Sequence, residues 1–146
     1  MKNTLRTICI ILTVSLLLAM PAYAESTAEQ RGSIFFDSYG TALEKTSSTS
    51  FRIWFDVDAN LATMDVLGVS EIIVYRSKDQ QNWTRMRIYT MGVYPEMVDQ
   101  NTSSHAGYVT HQYATSGYYY TAYVTFYARN SAGIGERYVY TQIIKM

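Results

Sequence analysis

Apolar and polar side chains alternate with a period of two along most of this chain, and this alternation constrains the fold more than any other feature. The alternating segments are rich in Tyr, Thr, Val and Ile, and Gly, Asn, Asp and Ser separate them. Such a pattern is typical of half-buried β-strands joined by turns. Strands are predicted over Ser33–Leu43, Ser50–Val57, Glu71–Arg76, Trp83–Thr90 and Gly107–Ala114, followed by two longer strands within 117–141 that join at Asn130–Gly135.

This pattern predicts an all-β domain, because about seven short strands with turn signals roughly every ten residues are typical of that class. The length and strand count favour a single antiparallel sandwich of two sheets, and a small β-barrel is the alternative. A loop is predicted over Ala59–Gly68. A longer connection is predicted over Tyr94–Ser104, with a helical turn near Pro95–Val98.

The first 24 residues have the pattern of a secretory signal peptide. Lys2 and Arg6 precede an apolar run, and Ala22-Tyr23-Ala24 supplies the small residues that a signal peptidase requires. The apolar run is too short for a transmembrane helix. The sequence therefore predicts a secreted protein without membrane contact after cleavage. The predicted segments are a signal peptide over 1–24, a flexible N-terminus over 25–32 and a folded domain over 33–146.

The charge balance disfavours nucleic acid as a partner. The chain has 12 Lys and Arg residues and 12 Asp and Glu residues, and loss of Lys2 and Arg6 with the signal peptide leaves a net charge of −2. Phosphate contacts need a basic surface instead. The single cysteine, Cys9, lies in the predicted signal peptide, so no disulfide or thiol chemistry is expected after cleavage. We also find no motif that indicates a cofactor.

Two segments resemble hairpins of a known fold. Tyr123–Glu136 (YVTFYARNSAGIGE) is similar to the last hairpin of a fibronectin type III domain, and Glu71–Met86 (EIIVYRSKDQQNWTRM) resembles its central hairpin. This resemblance implies an immunoglobulin-like, fibronectin type III-like sandwich. The corner tyrosine of that fold would align with Ala122, so only Tyr120 or Tyr118 can take its place.

Most of the segment 33–141 also resembles a family of small secreted proteins of unknown function from Gram-positive, clostridia-like bacteria. The segments that carry this likeness are FRIWFDV, TMDVLGVSEIIVYRSKDQQNW, QNTSSHAGYVT and YYYTAYVTFYA. The resemblance implies secretion by a bacterium, and it brings no activity, catalytic residue or cofactor with it.

Asp56, Asp58 and Asn60 have the spacing of the first ligands in a calcium loop. Leucines stand where that loop needs its glycine and its closing glutamate, so the three residues are weak metal candidates. Turn-forming side chains at the end of a strand are the favoured interpretation. A small secreted hydrolase with acids near Asp56 and Asp65 is the alternative to a binding protein, although the carboxylates follow no motif.

The two histidines, His105 and His111, would lie about 20 Å apart if one strand carries both, which is too far for a shared metal ion. No nucleophile motif accompanies them. Polar strand residues that face solvent are the favoured interpretation.

The segment Gly117–Thr141 contains seven tyrosines and one phenylalanine among its 25 residues. If Ala128 and Asn130 face inward, alternation places Ala122, Val124, Phe126, Tyr118 and Tyr120 on the core side, and Val139 and Ile143 inward on the next strand. The outward residues form a Tyr/Thr face. Its members are Tyr119, Thr121, Tyr123, Thr125, Tyr127 and Arg129, with Tyr138 and Tyr140 from the next strand and Ile73 and Tyr75 from a neighbouring one.

A second outward face is predicted on Trp83–Thr90. Trp83, Arg85, Arg87 and Tyr89 would share it, with Met86 and Ile88 turned inward. Aromatic rings and Arg side chains are favoured anchors at interfaces, although a solvated face is the simpler interpretation.

The function that fits these observations is a non-catalytic binding module whose Tyr/Thr face contacts a protein partner, a second copy of itself or a cell-surface or environmental glycan. Its rings offer area and its hydroxyl groups offer hydrogen bonds.

Overall fold

The alternating segments form β-strands throughout the residues that the computed structural model describes, which are 35–60 and 63–146. The predicted signal peptide, the predicted flexible N-terminus and the first two residues of the predicted Ser33–Leu43 strand lie outside these described residues. The described residues form two antiparallel sheets of three and six strands. The predicted all-β sandwich is thus confirmed, and the alternative of a closed barrel is wrong.

The described residues contain nine strands, which we number in chain order. They are β1 (Phe36–Lys45), β2 (Ser50–Ala59), β3 (Met64–Ser77), β4 (Thr84–Thr90), β5 (Val98–Thr102), β6 (Ser104–Gln112), β7 (Tyr119–Asn130), β8 (Gly133–Tyr140) and β9 (Ile144–Lys145). A short 3-10 helix, Pro95–Met97, precedes β5 and confirms the predicted helical turn.

The smaller sheet has the strand order β1-β2-β6, and the larger one has the order β4-β3-β7-β8. In the larger sheet β5 pairs with the first part of β3, and β9 pairs with the start of β7. The two long strands β3 and β7 pair from Val66 opposite Arg129 to Ser77 opposite Tyr119, and they form the centre of this sheet.

The core lies between the two sheets, and it is built by the predicted inward residues. On β7, Ala122, Val124, Phe126 and Ala128 are fully buried, which confirms the predicted orientation of this strand. Phe51, Ile53, Phe55 and Val57 of β2 are buried in the same way. Because successive side chains of a strand point to opposite faces, the residues between them lie on the outer faces of the two sheets.

The structure departs from the sequence prediction around β3. This strand begins at Met64, within the predicted loop, and β5 lies in the predicted connection. Gly68 has φ +150°, and a Cβ at this position would lie 2.3 Å from the carbonyl oxygen of Met97. The close passage of the 3-10 helix over β3 therefore requires glycine here. The start of β3 and β5 have an irregular sequence pattern, so only their pairing with distant strands shows that they are extended.

Tyr120 connects the start of β7 to the preceding loop. Its ring is buried against Phe51, with the ring centroids 5.2 Å apart, and its hydroxyl accepts a hydrogen bond from the backbone N–H of Thr115 at 2.8 Å. The tyrosine thereby holds the loop that enters the strand, as expected of a corner tyrosine.

Candidate functional site

The Tyr/Thr face contains a cluster of three tyrosine rings across β7 and β8. Tyr123 lies opposite Tyr140 in the strand register, and Thr125 lies opposite Tyr138. The ring of Tyr123 stacks on that of Tyr138 at 5.8 Å between centroids and lies 4.8 Å from that of Tyr140. Tyr138 and Tyr140 remain 56% and 62% exposed. The cluster therefore presents large ring surfaces to solvent in a fixed arrangement.

A groove adjoins this cluster. Its volume is about 400 Å³, and rings and aliphatic groups form most of its wall. We call it the ring groove. Its lining residues are Tyr75, Trp83, Thr121, Tyr140, Thr141 and Ile143. The groove combines side chains from β3, the β3–β4 turn, β7, β8 and the segment after β8, so no single stretch of sequence indicates it.

The turn between β3 and β4 positions Trp83. Asp79 accepts hydrogen bonds from the backbone N–H groups of Gln81 and Asn82 at 2.9 and 2.8 Å and from the side chain of Asn82 at 2.7 Å. These donors, those of Asn82 above all, hold the pKa of Asp79 well below its usual value. The indole N–H of Trp83 donates to the carbonyl oxygen of Gln80 at 3.2 Å. The turn thus fixes the indole at the edge of the ring groove.

The two threonines of the groove bond to each other rather than to solvent. The Thr121 hydroxyl donates to the carbonyl oxygen of Thr141 at 3.1 Å, and the Thr141 hydroxyl accepts from the backbone N–H of Ala122 at 2.9 Å. Both residues are buried. Their bonds link β7 to the segment that follows β8, and the groove surface left for a ligand consists mainly of rings and of the exposed Ile143 side chain.

Two tyrosines of the cluster, Tyr123 and Tyr138, have raised pKa values. The pKa of Tyr123 is raised by burial and by the neighbouring hydroxyls of Tyr140 and Tyr75. The Tyr138 hydroxyl donates to the Glu136 carboxylate at 2.7 Å, and this hydrogen bond raises the pKa of Tyr138. The hydroxyl groups of Tyr123 and Tyr138 are therefore uncharged at neutral pH.

The structure brings some of the other predicted face residues to the same surface. Tyr75 lies opposite Thr121, and Ile73 lies opposite Tyr123, as predicted. Tyr119 lies at the far end of β7, where the Lys145 ammonium group is 5.3 Å from its ring centroid. Ile143, which was predicted to face inward, is instead exposed at the ring groove.

Tyr127 does not belong to the exposed surface. It is only 8% exposed, and it lines a different cavity together with Met91, Pro95 and Arg129. Thr121 and Thr125 are also buried. The predicted exposure of these members of the Tyr/Thr face is wrong, because packing against other parts of the chain covers residues that strand alternation places outward.

The predicted face on β4 is split by a β-bulge. Val74 pairs with Arg87, whereas the next residue, Tyr75, pairs with Arg85, so Met86 is an extra residue that reverses the alternation. Trp83 and Arg85 therefore lie on the side of Tyr75. Arg87 and Tyr89 lie on the opposite side, and Tyr89 is buried. The prediction of one shared face is wrong, because one extra residue changes the side of every residue beyond it.

The same bulge changes the predicted positions of the other β4 side chains. Ile88 lies opposite Ile73 on the outer face and is 39% exposed, while Met86 is 40% exposed. The prediction that both are turned inward is wrong.

The acidic candidates lie on extended strand rather than in a wrapped loop. Asp56 and Asp58 belong to β2, and Asp58 accepts a hydrogen bond from the Ser38 hydroxyl at 2.8 Å. Asn60 follows the end of that strand. Within residues 35–60 and 63–146, no three His, Cys, Asp or Glu side chains form a group that could hold a metal ion. Asp65 lies on β3, in the other sheet from Asp56.

Both histidines lie on β6, and the prediction that they face solvent is wrong for His111. This residue is buried, its ring lies 4.9 Å from that of Phe51, and its Nδ1 atom is hydrogen-bonded to the Tyr89 hydroxyl at 2.9 Å. His105 is half-buried, and its Nε2 atom lies 3.2 Å from the carbonyl oxygen of Glu96. The alternation of β6 places both residues on the inner side, because their partners Phe51 and Val57 are core residues.

Sequence reasoning missed a second aromatic cluster, which lies on the outer face of the smaller sheet. The rings of Trp54 and Tyr108 are 4.6 Å apart, and the Arg52 guanidinium group lies 4.6 Å from the Tyr108 ring centroid. The Trp54 indole N–H donates to the Glu44 carboxylate at 2.6 Å. The pairing of Trp54 with Tyr108 brings these rings together, and sequence alternation alone does not give this register.

Comparison with known proteins does not place this chain in a family. No protein-family model, curated protein sequence or solved structure matches this chain. The resemblance to a clostridia-like secreted family therefore stays a prediction. Among the described residues, no helix has the length and apolar character needed to cross a membrane. Any functional conclusion must consequently rest on the geometry of the surface.

Proposed function

We propose that this protein is a secreted, non-catalytic binding module of the immunoglobulin-like type. The observation that carries the proposal is the ring groove beside the exposed Tyr123–Tyr138–Tyr140 cluster. Large exposed aromatic patches on one side of a domain are typical of interaction sites, whereas scattered single rings are not. The strand order and the hydrogen bond of Tyr120 support the immunoglobulin-like, fibronectin type III-like assignment.

The chemistry of the surface supports a protein partner before a glycan. The Trp83 indole N–H donates to Gln80, the Thr121 hydroxyl donates to Thr141, and the Tyr138 hydroxyl donates to Glu136. These internal bonds leave ring area as the main contribution to binding. Aromatic area of this kind contributes most against an apolar protein surface, whereas a sugar also requires several polar partners. A second copy of the chain is one such protein partner.

The test uses purified protein against a panel of cell-surface proteins and a glycan array, with self-association measured by analytical ultracentrifugation. Tyr140→Ala and Trp83→Ala should each weaken binding at least about tenfold, as expected of aromatic anchors. Tyr108→Ala is the matched control, because Tyr108 is an exposed aromatic residue on the other sheet. Binding that survives both groove substitutions, or that Tyr108→Ala also abolishes, would contradict the proposed surface.

The hydrolase alternative has its own test. Replacing Asp56 and Asp65 together by Ala should leave binding unchanged. A hydrolytic activity that disappears in this double variant would support the alternative instead.

A further inference from the structure

A further cavity lies at one side of the sandwich, apart from the ring groove and from the cavity that Tyr127 lines. Its volume is about 310 Å³, and side chains of β4, of β6 and of the loops that follow them form its wall. β4 is an edge strand of the larger sheet, and β6 is an edge strand of the smaller one. The residues that matter here are Arg87, Tyr89, Tyr94, His111 and Tyr113.

Arg87 contributes an unneutralised positive charge to this cavity. Its guanidinium group donates to the Tyr94 hydroxyl at 3.4 Å and lies 5.7 Å from the Tyr89 ring centroid. Among the described residues, the groups that act electrostatically on it are the hydroxyls of Tyr94 and Tyr89, and no carboxylate is one of them. A guanidinium group is charged at every physiological pH, and the hydrogen bond to Tyr94 raises the pKa of Arg87 further.

His111 presents a second polar atom at the same place. Its Nδ1 atom bonds to the Tyr89 hydroxyl, so Nε2 is the ring nitrogen left for a ligand. Among the described residues no side-chain nitrogen or oxygen that is closed off from solvent lacks a hydrogen-bond partner, so Nε2 keeps some contact with solvent, and His111 lines the cavity. When the Tyr89 hydroxyl donates to Nδ1, the imidazole proton is on Nε2, which then acts as a donor towards the cavity.

Tyr113 at the rim has an unfavourable backbone conformation. Its φ is +64°, and its ring is 89% exposed. Ring-bearing residues rarely adopt this left-handed conformation, and such residues cluster at ligand-binding positions. Tyr113 thus lies at the mouth of the cavity with its ring in solvent, where a ligand could contact it.

We propose that this cavity binds the carboxylate of a small aromatic acid. The planar guanidinium group of Arg87 matches the planar carboxylate with two parallel hydrogen bonds, and Nε2 of His111 supplies a further contact. A phosphate site would instead use several backbone N–H groups, whereas here three tyrosines line the cavity beside Arg87 and His111. The volume of about 310 Å³ leaves room for one ring with a carboxyl group.

The test is an NMR titration of the isotope-labelled protein at pH 7.5 with benzoate. Benzamide serves as the uncharged ligand of equal shape, and inorganic phosphate serves as the competing anion. Benzoate should produce saturable shifts confined to residues 87–94 and 110–113, with an affinity at least about tenfold above that of benzamide. Equal affinities for benzoate and benzamide, tighter binding of phosphate, or no saturable shift would overturn the proposal.

Two arginine variants complete this test. Arg87→Gln should weaken benzoate binding at least about tenfold, because it removes the charge and the paired donors. Arg85→Gln should leave it unchanged, since the bulge places Arg85 on the other face of the same strand. If Arg87→Gln fails to fold, Arg87→Lys keeps the charge without the planar pair of donors, and it should still weaken binding severalfold. Wild-type affinity in the folded Arg87 variant would overturn the proposal.

Discussion

The side-chain amide of Gln142 forms two hydrogen bonds with the backbone of Leu43, one to its N–H group and one to its carbonyl oxygen. Its Oε1 atom accepts from the Leu43 N–H at 3.1 Å, and its Nε2 atom donates to the Leu43 carbonyl oxygen at 2.9 Å. β1 is an edge strand of the smaller sheet, whereas Gln142 follows β8 of the larger sheet. The amide therefore joins the two sheets and satisfies backbone groups of an edge strand that would otherwise be open to pairing with another chain.

Replacement of Gln142 by Ala should destabilise the fold. Two hydrogen bonds to partly buried backbone groups are lost, so we expect the free energy of unfolding to fall by about 1–2 kcal/mol. Urea unfolding followed by circular dichroism measures this change. Gln100→Ala, at an exposed position of β5, is the control and should change stability by less than about 0.5 kcal/mol. Equal stability of the Gln142 variant and the control would show that the amide contributes nothing.

His111 should make stability depend on pH. Burial, and then the positive charge of Arg87, lowers its pKa from 6.5 to about 4 in the folded protein. The unfolded chain therefore takes up a proton between these two values that the folded protein does not. The free energy of unfolding should fall as the pH drops from 6.5 to about 4, by about 1–2 kcal/mol after allowance for solvent in the adjoining cavity.

Urea unfolding of the wild type and of His111→Gln at pH 7 and pH 4.5 isolates this contribution. The wild type should lose more stability between the two pH values than the variant does, because the variant lacks the imidazole. Gln100→Ala, at an exposed position of β5, serves as the control and should keep the wild-type difference. An unchanged pH dependence in His111→Gln would contradict the assignment.

Gly68→Ala should be strongly destabilising. The added methyl group would meet the Met97 carbonyl oxygen at 2.3 Å, and the backbone has φ +150°. Backbone atoms cannot move aside as the end of a flexible side chain can, so we expect a loss of about 2–4 kcal/mol. The control is Gly92→Ala, where no atom lies within 4 Å of the added methyl group. A melting temperature within a degree or two of the control would refute the close passage over β3.

Two tyrosines of the same predicted face should respond differently to substitution. Tyr127 is buried, so Tyr127→Ala should cost about 2–4 kcal/mol of stability. Tyr140 is largely exposed, and Tyr140→Ala should cost less than about 1 kcal/mol while it weakens partner binding. Thermal unfolding of both variants checks the contrast. Similar losses of stability in the two variants would contradict the difference in burial between Tyr127 and Tyr140.

Much of the fold could be predicted because strand alternation is local. On β2 and β7 every second side chain is apolar, and these side chains form the core that the alternation indicates. The prediction was weaker on β3 and β5, since Gly68 and the segment after Pro95 become extended only through pairing with distant strands. Tyr120 and Tyr118 were both candidates for a corner tyrosine, and burial together with the hydrogen bond to Thr115 distinguishes Tyr120.

By itself the sequence determined the all-β class, the inward residues of the main strands and the clustering of tyrosines on one outer face. The tertiary structure decided which of those tyrosines are exposed, and it placed Trp83 and Ile143 beside them. It also placed Arg87 and Arg85 on opposite faces of β4, because Met86 is an extra residue in that strand. The physical reason is that alternation specifies the side of a strand on which a residue lies, whereas exposure and neighbours depend on register, bulges and loops that distant contacts set.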